Sequence, residues 1–259
     1  MGTTTKKKTT TELEIKVSGG RISEAKLMPN GTCKLTIEMI NIVEANTNDV
    51  FVLIDASKLS IDDEFLQHEP QTDKQIKFKT FLIEAIKTGK LQDFYHPKYD
   101  PSLDDNGNIC YIVGGKPAIK KQYEWWDEKA KLFMPERNSR LGTKNEYIAF
   151  LGVLIKKLVK GGWNVADAWK AVCDDSKQLG HYKNSNDSKN QLECTGSRQV
   201  AGLYDLANTC KILGKDKRGN FLLASSDYCD SSEIYPLADI FTANVSYDKI
   251  NSVGWIVLF

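Results

Sequence analysis

The side chains in this chain that could do chemistry are three histidines, six cysteines and a run of Ser, Asp, Asn and Tyr near its C-terminal end. His68, His96 and His181 are scattered and do not make the spaced set that a histidine-bound metal needs. Cys33, Cys110, Cys173, Cys194, Cys210 and Cys229 include no pair at Cys-x-x-Cys spacing, so no structural zinc site is expected. A chain of this length does not depend on disulfides, and its thiols are expected to be mostly buried and free. Asp100, Asp104, Asp105, Asn106 and Asn108 offer calcium-type oxygens, but Gly107 is out of place for an EF-hand loop. Asn106-Gly107 before Ile109–Val113 reads instead as a turn entering a strand. What remains is the segment 225–252. Its candidate ligand-contacting residues are Ser226, Tyr228, Asp230, Ser231, Tyr235, Asn244, Ser246, Tyr247, Asp248 and Asn251. Tyrosine gives large contact area at low entropic cost, and small polar residues supply adaptable hydrogen bonds. No catalytic residue, metal ligand or cofactor site is assigned.

Such a segment needs a scaffold, and the rest of the chain supplies the signals of one. Leu13–Val17, Cys33–Ile42 and Val50–Ile54 are β-type runs, with Asn30-Gly31 as a turn before the second. A helix is predicted from about Asp73, with Ile76, Phe81, Leu82, Ala85 and Ile86 as its apolar stripe and Gly89 closing it. Tyr123, Trp126 and Ala130 fall at helical spacing before Pro135. Thr143 and Glu146 form a capping box, opening a helix whose inward face is Tyr147, Ile148, Leu151, Leu154, Ile155 and Leu158 and which ends at Gly161-Gly162. Another helix follows Asn164, with Val165, Ala168, Trp169 and Val172 inward.

Composition narrows the function classes. A net charge of +1 gives no basic field to attract nucleic acid. Nothing in the chain is a long enough apolar run to insert in a membrane, and the Thr- and Lys-rich residues 1–11 read as a flexible tail rather than an export signal.

Four pieces in order carry a family resemblance. Arg140-Leu141-Gly142-Thr143-Lys144-Asn145-Glu146-Tyr147 resembles the RLPTEAEWE signature of C-type-lectin-like domains of the formylglycine-generating-enzyme type, with Gly142 in place of proline. Trp126-Asp127-Glu128-Lys129-Ala130 is similar to that family's earlier W-x-D-A helix, and Gly202–Asn208 to its GLYDMxGN segment. Asn251–Leu258 resembles its closing NxGFRxV strand. The resemblance spans roughly the last 140 residues, with an insertion around 164–190. Leu222–Ser226 stands where the family has RGGSW, and Thr209-Cys210-Lys211 where it has tryptophans. The copper-binding cysteine pair of the family's enzymes is reduced here to Cys229. Calcium ligands of the lectin type are absent from the sequence.

The resemblance therefore implies the fold without the known chemistries. Domains of this type serve as variable proteins of diversity-generating retroelements in phages and bacteria, where adenine-directed randomisation avoids Glu, Lys, Gln, Met and Trp. Between Ser225 and Ser252 only Glu233 and Lys249 belong to that avoided set, with Pro236, Leu237 and Ala238 as fixed scaffold between two patches. The expectation is an α+β protein in three parts: a tail (1–11), an N-terminal α+β module (12–95) and a lectin-like ligand-binding domain (96–259). The expected function is recognition of a protein or glycan on a cell surface, by a non-enzyme of a phage virion or of the bacterial cytoplasm or surface, with homo-oligomerisation open. The alternatives are a copper oxidase of the formylglycine-generating type and a passive structural component of a virion.

Overall fold

The computed structural model describes residues 20–27, 33–39, 50–98, 100–111, 121–175, 179, 199–200, 203–204, 210–216, 218–224, 237–243 and 252–259. The chain divides into two compact units, Met1–Thr47 and Asn48–Phe259. In the first, β1 (Gly20–Leu27) and β2 (Cys33–Met39) pair antiparallel from Leu27↔Cys33 to Gly20↔Met39, with a bulge between Ile22 and Glu24. The tail, Leu13–Val17 and the Asn30-Gly31 turn lie outside the described residues.

In the second unit, β3 (Phe51–Ile54) leads through two 3-10 turns to α1 (Asp73–Lys87), capped by the Thr72 hydroxyl accepting from the Gln75 amide. The buried stripe of α1 is Gln75, Phe78, Leu82 and Ala85, with Phe81 and Ile86 partly buried. Ile76, expected inward, is 52% exposed. Gln75 takes the inward place because its amide is satisfied there: Nε2 donates to Asp174 at 2.6 Å, and Oε1 accepts from the Gln71 amide. After β4 (Phe94–Pro97), β5 (Ser102–Leu103) and β6 (Ile109–Cys110) form a hairpin.

Next come α2 (Tyr123–Phe133), β7 (Arg140–Leu141), α3 (Lys144–Lys160) and α4 (Val165–Cys173). Tyr123, Trp126 and Ala130 are the buried residues of α2, as their spacing implies. The capping box of α3 is formed, and a bidentate ion pair from Arg140 holds its Glu146. Every residue from Tyr147 to Ile155 is buried, so α3 is a central helix rather than a one-sided one. It packs on α1, where Gly152 lets the Leu82 methyls approach. Ala168, Trp169 and Val172 of α4 are buried and Val165 partly so, with the Trp169 indole N–H donating to the Phe65 carbonyl at 2.9 Å.

The strands β8 (Gln199–Val200) and β9 (Leu203–Tyr204) pair with each other. They precede a four-stranded sheet of β10 (Cys210–Lys215), β11 (Phe221–Ala224), β12 (Ile240–Ala243) and β13 (Ser252–Gly254), in the order β12-β11-β10-β13. The pairing is antiparallel except between β10 and β13, which run parallel. The last strand, β14 (Ile256–Val257), pairs with β7, and Leu258 exchanges backbone hydrogen bonds with Tyr95 of β4. Between β13 and β14 stands Trp255, 2% exposed. Its amide donates to Ile212 and its carbonyl accepts from Gly142 at 2.9 Å, and its ring lies edge-on to Tyr147 and Phe94. A Cβ at Gly142 would overlap that indole, and a proline there would also remove the N–H that holds it. The glycine at 142 is thus matched to Trp255.

The protein is mixed α+β, but the boundary expected at 95/96 is not a break in packing. It would cut through β4, whose four residues all pair with β3 and whose Tyr95 is bonded to Leu258. Helix α1 lies against α3 and α4 in one core with Trp255 and Val257. The contact boundary falls at 47/48. No helix among the described residues is long and apolar enough to cross a membrane.

Candidate functional site

The ten candidate contact residues fall in two stretches outside the described residues. Ser226, Tyr228, Asp230, Ser231 and Tyr235 lie in 225–236; Asn244, Ser246, Tyr247, Asp248 and Asn251 lie in 244–251. Cys229 lies in the first of these stretches. The structure does define the residues from which both stretches depart and to which they return: Ala224, Leu237, Ala243 and Ser252.

Three of those four points converge. Lys211 is in register with Ala224, and Ala224 in turn with Ile240, while Val253 lies beside Lys211 and Ser252 beside Cys210. One end of the sheet therefore carries the exit of the first stretch and the return of the second. The return of the first stretch is fixed to the helices. Tyr147 of α3 donates its hydroxyl to the Leu237 carbonyl at 3.1 Å, the Ala238 amide donates to Val172 of α4, and Asp239 pairs with Lys74 of α1. The fourth point, Ala243, pairs with Phe221 at the opposite end of the ladder.

Beneath this end lies a buried polar layer that periodicity did not reveal. Lys211 donates to Asp100, and both side chains are more than nine-tenths buried. The Cys210 thiol donates to the Ala224 carbonyl at 3.3 Å. His96 stacks on Phe150 with ring centroids 4.8 Å apart, and its Nδ1 donates to the Pro97 carbonyl. Burial pushes the His96 pKa down to about 3; the Pro97 bond opposes this and the Lys211 charge adds to it. Burial pushes the Tyr147 phenol up, with Cys210 and Asp100 adding to the shift. The signal available in sequence was Lys211 itself, a lysine within the apolar run Cys210–Leu213 of an interior strand.

As chemistry this layer is a framework of neutral and paired groups. His96 is neutral at ordinary pH and has no free base role. Cys110 and Cys173 are free thiols, and burial raises the pKa of both, so they stay protonated at neutral pH. Among the described residues no group of three or more His, Cys, Asp or Glu is placed to hold a metal ion. The stretch once weighed for calcium is a hairpin turn. Asp104 accepts from the amides of Asn106 and Asn108, and Gly107 takes φ +76°. The same Asp-x-x-Gly-Asn device recurs at 216–220, between β10 and β11, with Gly219 at φ +81°. That repeat was readable in the sequence and was missed.

Comparison with models of protein families, with curated proteins and with solved structures gives no match to this chain.

Proposed function

We propose that this protein is a ligand-recognition protein on a C-type-lectin-like scaffold, its contact residues drawn from 225–236 and 244–251. The observation that carries this reading is the convergence of Ala224, Leu237 and Ser252 on one buried, hydrogen-bonded end of the sheet. A recognition surface that changes its side chains needs ends held by something other than those side chains, and a sheet end braced by helices provides it. The scarcity of Glu, Lys, Gln, Met and Trp in this span favours a diversity-generating retroelement as the source of variation. The ligand is then a protein or glycan on a cell surface, and the protein a displayed component of a phage or bacterium.

The experiment is alanine substitution at Tyr228, Tyr235, Asn244 and Tyr247, compared with Trp255→Ala, by denaturant unfolding and by binding to a panel of bacterial cells. The four segment variants should change stability by about 0.5 kcal/mol or less. Trp255→Ala should cost about 3–5 kcal/mol, because it empties the centre of an aromatic cluster. Binding should follow the reverse order. Segment variants that unfold as readily as the Trp255 variant would make the span core and end the recognition reading. Stoichiometric copper(I) binding lost with Cys229→Ser would favour the oxidase alternative instead.

A further inference from the structure

A cavity of about 190 Å³ opens between the end of α1 and the start of α3, and its lining residues all belong to 88–92 and 143–146. Gly89, at φ +61°, closes α1 and carries the chain into the first wall. The Thr88 hydroxyl fixes this wall by donating to the Ala85 carbonyl and accepting from the Lys90 amide. Leu91 packs on the core, and the Asp93 carboxylate beyond it accepts from the Ser57 amide. The capping box of α3 fixes the second wall. Glu146 Oε2 accepts from the Thr143 amide and hydroxyl, and both its oxygens accept from Arg140. Burial would raise the Glu146 pKa, but the hydrogen bonds from Arg140 and Thr143 outweigh it and hold the carboxyl below its ordinary value. Its charge is therefore met before any ligand arrives. Both walls are preformed, as those of small-molecule sites usually are.

The walls leave three polar side chains unused. Among the described residues, Lys90, Gln92 and Asn145 line the cavity without a side-chain hydrogen bond or ion pair. Lys90 offers donors only, whereas the carboxamides of Gln92 and Asn145 each offer donors and an acceptor together. An ammonium matches a carboxylate, and a carboxamide matches a hydroxyl, which both donates and accepts. Leu91 adds apolar surface for the carbon frame of a ligand. The volume lies below the roughly 300–1,000 Å³ of drug-sized sites. It equals the liquid share of about six waters, which suits one small ring or short chain. We propose that this cavity binds a small hydroxy-carboxylate, with Lys90 on the carboxylate and Gln92 and Asn145 on the hydroxyls. A free hydroxy acid and an acidic sugar at the end of a glycan share this chemistry, and a glycosidic substituent on the probe distinguishes them.

Amide NMR titration of the full chain with D-glucuronate, its methyl glycoside, D-glucose and acetate tests this. Glucuronate should shift the amides of 88–92 and 143–146 with a Kd on the order of millimolar. Glucose lacks the carboxylate and acetate lacks the hydroxyls, so each should bind about tenfold more weakly. Lys90, Gln92 and Asn145 are exposed, so substituting them leaves the fold in place. Lys90→Gln and Asn145→Ala should weaken glucuronate by a similar factor. Lys87→Gln, which removes an equal charge from α1 outside the cavity, should not. Binding of the methyl glycoside as tightly as the free acid supports the site with a glycan end as its ligand; binding of the free acid alone supports it with a free hydroxy acid. No shift in 88–92 and 143–146, equal binding of acetate and glucuronate, or equal weakening by Lys87→Gln overturns the site.

Discussion

His96 shows how a single side chain sets a property of the whole protein. It faces Phe150, Trp255, the Pro97 carbonyl and the Lys211–Asp100 pair, and its pKa is held near 3 against an ordinary 6.5. Above pH 6.5 the imidazole is neutral in both the folded and the unfolded chain and does not bias folding. Between pH 6.5 and 3 the unfolded chain takes up a proton that the folded one refuses, so stability falls. Below pH 3 both are protonated and the loss levels off. The loss from this group is on the order of 5 kcal/mol. Urea unfolding of wild type and His96→Gln across pH 7 to 4 should show a steep decline in the first and a flatter one in the second. Parallel curves would mean that His96 is not the titrating group. Its lone appearance in the sequence gave no hint of this, because burial comes from Phe150 and Trp255, 54 and 159 positions away.

Elements were legible to the degree that their partners were local. Helices α2, α3 and α4 appear where their 3.6-residue spacing and caps place them, since a cap and a stripe are read within one segment. The stripe of α1 was misplaced at Ile76 because hydropathy cannot foresee a glutamine whose amide is met by Asp174, 99 residues later. The sheet order was not legible at all: β10 takes its parallel partner from the last eight residues of the chain. The two Asp-x-x-Gly-Asn turns set the registers of their hairpins through a positive φ that only glycine adopts without strain. Gly219→Ala, with open space around its Cβ, should therefore cost about 1 kcal/mol from backbone strain alone. Thermal unfolding measures it, and an unchanged midpoint would show that the turn relaxes.

At the scale of the molecule, the chain divides into two compact units at 47/48, where 95/96 was expected from the sequence. A chain of residues 48–259 should unfold cooperatively with the midpoint that the second unit has in the full protein. Residues 96–259, lacking β3, half of β4 and α1, should show no cooperative transition, since Leu82, Phe94 and Phe78 leave the core with them. Calorimetry on the two fragments distinguishes these cases; a cooperative 96–259 would restore the earlier boundary. The candidate contact residues were read from composition and lie outside the described residues, while of the buried layer only Lys211 left a sign in the sequence, because it meets Asp100 across 111 residues. The closing residues 252–258 carry a further consequence. They follow the candidate stretches in the gene, and they supply β13, Trp255 and β14, without which neither the four-stranded sheet nor the β7 pairing exists. A stop codon or a shifted frame anywhere in 225–251 therefore deletes the centre of the core. The fold acts as a proofreader: a chain altered anywhere in 225–251 stays folded only if its reading frame runs on through 252–258.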